Sequence, residues 1–132
     1  MFTLGGFAIV QAADGGVLFC LRKDRPIWNL PGGRVELHES PWKATERELF
    51  EETGVVGIVD RLIAVDYDVG KNDLASYFLC KAPQVLPTET DEAERFSFFT
   101  KADMPETMYS RHRRIVERFF DGEAAFFSSV VT

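Results

Sequence analysis

The sequence predicts an α/β layered sandwich, and three observations carry that prediction. Apolar runs of strand length alternate with two segments of helical pattern. Clusters of Pro, Gly and Asn punctuate the boundaries between them. The 132 residues are 45% hydrophobic and 27% charged, enough to bury one core without a disulfide or a structural metal. The whole chain, residues 1–132, is therefore read as one domain.

The elements follow in order. Residues 4–11 and 17–22 are apolar and flank the turn-like segment 12–16, which predicts an antiparallel hairpin. The charged loop Arg22-Lys23-Asp24-Arg25-Pro26 comes next, followed by residues 27–30 and the breaker Pro31-Gly32-Gly33, where the chain must turn sharply. Ser40-Pro41 opens a helix, because serine caps the free N–H groups of the first turn and proline fits its first position. Gly54 ends that helix. Trp42, Thr45, Leu49 and Thr53 recur at helical spacing and form the expected core-facing stripe. Residues 55–69 and 74–81 read as strands joined by the turn 70–73. Residues 83–94 are polar and read as a surface loop, and 95–100 as a further strand. A second helix is expected over 110–120, with Gly122 after it. The apolar tail 124–131 reads either as a strand or as part of an oligomer interface.

Charge and cysteine content exclude several classes of function. A net charge of −6 argues against a nucleic-acid polymer as partner, since that requires a basic face. An anionic substrate would have to be neutralised locally, and clustered carboxylates make a divalent cation the agent. Cys20 and Cys80 lie in apolar runs without metal-knuckle spacing, so both are expected as buried free thiols and no oxidising compartment is implied. The first ten residues lack the basic flank and long apolar stretch of a signal peptide. A cytoplasmic protein with no membrane association is expected.

The chemistry concentrates in the first helix. Glu48, Glu51 and Glu52 stand at i, i+3 and i+4, on one face within about 100° of arc. Like charges at this spacing cost a helix about 0.2–0.5 kcal/mol per pair, and Arg47 is the close intrahelical partner. Such an oxygen-rich patch suits Mg²⁺. A Glu-rich solvated face would look the same if only the helix were considered.

The surrounding residues decide between these readings. Gly33, Glu39, Arg47, Glu48, Leu49, Glu51, Glu52, Gly54 and Val55 occupy every defining position of the pattern G-x5-E-x7-R-E-U-x-E-E-x-G-U, with U aliphatic. The segment thus resembles the signature box of the Nudix hydrolases. Seven fixed residues coincide by chance on the order of once in 10⁸ starting points. The lead-in Trp28-Asn29-Leu30-Pro31-Gly32 and the later Phe98-Phe99 and Asp103-Met104-Pro105 are similar to the family as well. One departure is His38, where many members carry glycine.

The resemblance implies a Nudix α/β/α sandwich with a mixed β-sheet between helices. It also implies Mg²⁺-dependent hydrolysis of a phosphoanhydride bond in a nucleoside diphosphate linked to a moiety X, with Mn²⁺ able to stand in for Mg²⁺. A nucleotide-sugar or ADP-ribose-like substrate is favoured over a nucleoside triphosphate or a dinucleoside polyphosphate. A non-catalytic nucleotide-binding module is the rival from another class. Glu51 and Glu52 become the metal ligands, and Glu48 either a third ligand or the group that orients the attacking water. Arg47 and Glu39 become supports. Gly32 and Gly33 form the loop against helix and ligand. A later loop is expected to supply a base, with Glu92 and Glu94 as candidates beside Asp91. Arg22 and Lys23 are candidates for a phosphate contact and read equally as surface charge. Trp28, Phe7, Tyr67 and Tyr109 are the candidates for stacking on a base. The resemblance allows a homodimer.

Overall fold

A computed structural model describes residues 1–83 and 93–132. Among the described residues, eight strands and two helices follow one another as β1 (Thr3–Ile9), β2 (Val17–Arg22), β3 (Trp28–Asn29), β4 (Gly32–Arg34), α1 (Pro41–Thr53), β5 (Ile58–Asp68), β6 (Asp73–Lys81), β7 (Ala93–Phe99), α2 (Ser110–Phe120) and β8 (Phe126–Val130). A short 3₁₀ turn, Lys101–Asp103, precedes α2.

The strands form two sheets. One is mixed and five-stranded, in the order β4-β1-β6-β5-β8, and the other is three-stranded, in the order β3-β2-β7. β1 runs parallel to β6 from Thr3 opposite Asp73 to Ile9 opposite Leu79, and antiparallel to β4. β2 instead pairs antiparallel with β7. The hairpin expected from residues 4–22 therefore closes only at its turn. There Leu18 N–H donates to the Val10 carbonyl (2.9 Å) and Gln11 bridges Val17, after which β1 and β2 part into different sheets. Their apolar content marks both as strands, but the stronger pairing of each lies with a partner more than fifty residues away, which local pattern does not reveal.

The period-2 alternation of the strands builds two cores. Ile9, Tyr77, Leu79 and Ile63 pack with Ile115 and Val116 of α2, while Ala8, Val10, Phe78 and Cys80 pack with Leu49 of α1. The five-stranded sheet thus lies between the helices, and the α/β/α sandwich holds. Among the described residues no helix is long and apolar enough to cross a membrane. Cys20 and Cys80 are buried free thiols, and burial pushes the Cys80 thiol up to about 12.

α1 begins and ends where its caps dictate. Ser40 Oγ accepts from Lys43 N–H (3.2 Å), and Gly54 adopts φ +74° while its N–H donates to the Phe50 carbonyl. Thr45, Leu49 and Thr53 are buried as expected, but Trp42 is 52% exposed. The Pro41 carbonyl and the Thr45 hydroxyl sit against Gly6 of β1, where a Cβ would overlap both. Trp42, one residue on, is rotated by about 100° away from that contact. The tail forms the edge strand β8, parallel to β5 from Ala64 opposite Phe126 to Asp68 opposite Val130.

Candidate active site

The breaker Pro31-Gly32-Gly33 does more than turn the chain, because Gly32–Arg34 adds a short strand to β1. Gly32 has φ +151° and a Cβ there would overlap the Gly6 carbonyl, so only glycine fits. Its N–H donates to Glu52 Oε1 at 2.7 Å. A Cβ on Gly33 would lie 2.7 Å from Glu48 Oε2. The two glycines therefore let the loop close directly on the carboxylate face of α1.

Arg47 organises the rest of that face. Its Nε and Nη2 make a bidentate pair with Glu39 (3.1 and 2.7 Å), while Nη1 donates to Glu48 Oε1 (2.7 Å) and Glu51 Oε2 (3.2 Å). Nη2 also reaches the Arg34 carbonyl at 3.3 Å. Glu39 accepts in addition from Glu36 N–H, and the Arg47 hydrogen bonds hold its carboxyl below the usual range. The repulsion expected among Glu48, Glu51 and Glu52 is thereby offset by one guanidinium and one backbone N–H. Glu46, which the sequence reading did not single out, accepts from Val59 N–H (2.8 Å) and ties α1 to β5.

Glu52 also lines an open cleft of about 540 Å³. Gly32 and Gly33 share that end, Phe7, Tyr109 and His112 bring aromatic rings, and Arg22, Arg25 and Lys71 bring positive charge. Arg22 is held by Asp24 through bonds of 2.8 and 2.6 Å, whereas Arg25 and Lys71 make no ion pair with a described residue. Of the stacking candidates, Phe7 and Tyr109 line the cleft. Trp28 instead packs edge-on against Phe99 at 5.1 Å, and Tyr67 donates to Asn72 Oδ1. Lys23 does not line the cleft. Glu94 belongs to β7, and Asp91 and Glu92 lie outside the described residues.

The main residue missed from sequence is His112, 3% exposed, whose ring centroid lies 4.5 Å from that of Phe7 and 4.8 Å from that of Tyr109. Its signal was the stripe His112, Ile115, Val116, Phe119 at i, i+3, i+4 and i+7, which places a histidine on the apolar face of α2. The second omission is a buried ionic network. Asp66, fully buried, accepts from Arg111 (2.6 Å), Arg114 (2.8 Å) and Ser128 (2.5 Å), and Arg111 also pairs with Asp73 (2.7 Å). Burial pushes the Asp66 carboxyl up, but the Ser128 hydrogen bond and the two guanidiniums outweigh it and leave the group below its ordinary value.

The helix, its closing loop and the Arg47 clamp lie together on one face of the fold, and the NUDIX domain model matches residues 1–119 of the chain. This protein belongs to the NUDIX family. It is 34% identical over 100 residues to a MutT-like protein of Streptomyces ambofaciens, covering 76% of this chain and 65% of that one. It is 28% identical over 113 residues to an ADP-ribose pyrophosphatase of Methanocaldococcus jannaschii, covering 80% and 66%. The chain thus spans about two thirds of the length of these NUDIX relatives. Among solved structures, a NUDIX hydrolase from Nitrosomonas europaea superposes with a TM-score of 0.89 at 20% identity, covering 98% of this chain and 79% of the other. A UDP-X diphosphatase superposes with a TM-score of 0.78 at 22% identity, covering 96% and 67%. At these identities the superpositions speak for the NUDIX fold.

Proposed function

We propose that this NUDIX protein hydrolyses the phosphoanhydride bond of a nucleoside diphosphate linked to a moiety X, with Mg²⁺ as cofactor and a nucleotide-sugar or ADP-ribose-like compound as substrate. One observation carries the reading: Glu52, on the carboxylate face of α1, opens into the same cleft as Phe7 and Tyr109. A diphosphate at the Glu52 end and a base against the rings would fill one continuous site.

Glu48, Glu51 and Glu52 offer the hard oxygen donors that Mg²⁺ prefers. Among the described residues, however, no three such groups converge as a cation site, and Glu48 and Glu51 are both bound by Arg47. Holding an ion would exchange part of that clamp for the metal. When bound, Mg²⁺ would neutralise diphosphate oxygens and acidify a water. Arg47 sets the carboxylate orientation, Glu39 fixes Arg47, and Gly32 N–H fixes Glu52. Arg22, Arg25 and Lys71 draw the substrate phosphates toward the cleft. Glu92 or Glu94 supplies the general base. The buried free thiols of Cys20 and Cys80 support a reducing, cytoplasmic compartment.

A panel of nucleotide-sugars, ADP-ribose, nucleoside triphosphates and dinucleoside polyphosphates, incubated with Mg²⁺ or Mn²⁺ and resolved by mass spectrometry, tests the proposal. Release of a nucleoside monophosphate and X-phosphate, abolished by EDTA, is the expected result. Nucleotide binding without turnover of any compound would make the protein a binding module instead. Glutamine replacements of Glu92 and Glu94, singly and together, test the base: full kcat in the double variant would remove both from the mechanism.

A further inference from the structure

The aromatic end of the cleft contains one polar group that the proposed hydrolysis does not use. His112 Nδ1 accepts a hydrogen bond from the buried Leu30 N–H at 3.1 Å. A nitrogen that accepts from an N–H carries no proton, so in the neutral ring the proton resides on Nε2. Burial, followed by the neighbouring Arg111 charge, holds the imidazole down to about 3, with Asp66 opposing weakly, so the neutral form persists at neutral pH. Nε2–H donates to no described protein group. Among the described residues the Tyr77 hydroxyl alone is both sealed from solvent and unpartnered, so Nε2 is not sealed, and His112 lines the cleft.

We propose that this end of the cleft is a nucleobase subsite in which His112 Nε2–H is a fixed donor that reads a carbonyl oxygen on the base. The inference rests on the proposed function and deepens it by naming the class of base. The base would lie against Phe7 and Tyr109, the two rings that line the cleft beside His112. A donor locked in place by its other nitrogen discriminates by what it meets. The exocyclic oxygen of guanine or uracil completes its hydrogen bond, whereas the exocyclic amino group of adenine sets donor against donor. Arg25 and Lys71, which make no ion pair with a described residue, remain for the phosphates. Within the nucleotide-sugar reading, uridine and guanosine diphosphate compounds are therefore preferred over ADP-ribose.

The two nitrogens can be tested separately, because an asparagine amide reaches as far as Nδ1 and a glutamine amide as far as Nε2. His112→Asn retains an acceptor for Leu30 N–H and removes the donor from the cleft. His112→Gln returns an N–H to the cleft and gives up the Leu30 contact. Binding of UMP, GMP and AMP, measured by calorimetry without metal, gives a readout independent of turnover. UMP and GMP should bind the parent more tightly than AMP. His112→Asn should fold as the parent does, lose about tenfold in affinity for UMP and GMP, and leave AMP unchanged, the loss expected for one neutral hydrogen bond. His112→Gln should melt lower yet recover much of the UMP and GMP affinity. With a turnover substrate the Asn variant should show the loss in KM rather than kcat. Long-range ¹H–¹⁵N correlations should show the Nε2–H tautomer.

An Nδ1–H tautomer, AMP binding as tight as GMP, or His112→Asn binding UMP and GMP as the parent does would overturn the inference. If diphosphates are hydrolysed and His112→Asn is indifferent, the base-reading role falls while the hydrolase stands. If no diphosphate is turned over but UMP and GMP binding still depends on His112, the hydrolase falls and the donor stands.

Discussion

Two arginines, Arg47 and Arg111, each gather carboxylates, and the contrast between them sets a hub proposed to serve the reaction against one that holds the fold together. Arg47 is 25% exposed and binds Glu39, Glu48 and Glu51, all within eight residues of it. Arg111 is 10% exposed and binds Asp66 and Asp73, 45 and 38 residues away. The first hub orders groups that solvent could also satisfy, and its energetic worth for folding is small. The second holds Asp66, which no solvent reaches, and staples α2 and β8 to the sheet. Removing a partner of a fully buried charge costs far more than removing one at the surface.

The largest effect should come from the Arg47 side and appear only in activity. Glu52→Gln retains an amide oxygen for Gly32 N–H but removes a charge from the carboxylate face, as Glu51→Gln does beside it. If these are metal ligands, kcat should fall by two or more orders of magnitude, corresponding to about 3 kcal/mol or more of lost transition-state stabilisation. The metal-free melting temperature should stay level or rise slightly, because mutual repulsion on α1 is relieved. Added Mg²⁺ should raise the melting point of the parent more than that of either variant. Near-normal kcat with a much lower melting point would assign the patch to structure and erase the contrast between the hubs.

The Arg111 side should give the mirror image. Arg111→Met leaves Asp66 with Arg114 and Ser128 and deprives Asp73 of its ion pair, and it should cost about 3 kcal/mol of unfolding free energy in urea. Activity per folded molecule should change little. A loss below 1 kcal/mol would show that Arg114 alone supports Asp66, and that burial of the network matters less than the comparison claims.

The same contrast explains what was legible in the sequence. The Arg47 hub lies within one helix and the segment that enters it, so a linear motif with fixed spacing records it almost completely, caps and glycines included. The Arg111 hub, His112 and the split of β1 and β2 into two sheets all depend on partners brought together by topology. A sequence window holds no trace of a parallel β1–β6 pairing, since neither strand differs in composition from one half of a hairpin. Trp42 failed for a related reason: helical spacing locates a stripe, but the close approach at Gly6 decides which side of that stripe meets the sheet. Phe7 and Tyr109 stood among the stacking candidates from sequence alone, yet only the fold distinguished them from Trp28 and Tyr67.

Acid should dismantle the α2 side in two stages. His112 titrates near 6.5 in an unfolded chain but is held down to about 3 in the fold, first by burial and then by Arg111, with Asp66 opposing. Between those values the unfolded state binds the additional proton. Its contribution is therefore complete above pH 6.5 and declines as pH falls toward 3, by roughly 1 kcal/mol per pH unit. Asp66 behaves as a depressed carboxyl: its contribution is present above the ordinary 3.8 and disappears only as pH falls below that value. Urea midpoints measured from pH 8 to pH 3 should show a decline beginning near 6.5, and His112→Asn should abolish that first stage while preserving the second. An unchanged slope between pH 6 and 4 in the variant would assign the first stage to other groups.

The smallest effect should lie in the loop that feeds the Arg47 hub. His38, between Glu36 and Glu39, adopts φ +67°, in the left-handed region. A side chain there costs about 1–2 kcal/mol from the clash of Cβ with the following carbonyl. Glycine removes that clash but brings back about 0.5–1 kcal/mol of backbone entropy in the unfolded chain. His38→Gly should therefore gain at most about 1.5 kcal/mol, a rise in melting temperature of a few degrees for a chain of this size. His38→Ala, which keeps the Cβ and the strain, should show no such gain, so the pair isolates backbone conformation from the loss of the imidazole. Because no hydrogen bond or ion pair joins His38 to Arg47 and His38 is not among the residues lining the cleft, kcat should be indifferent to both changes. A glycine variant that melts lower than the parent would mean that the imidazole makes a contact worth more than the strain, and it would place His38 among the supports of the hub rather than beside them.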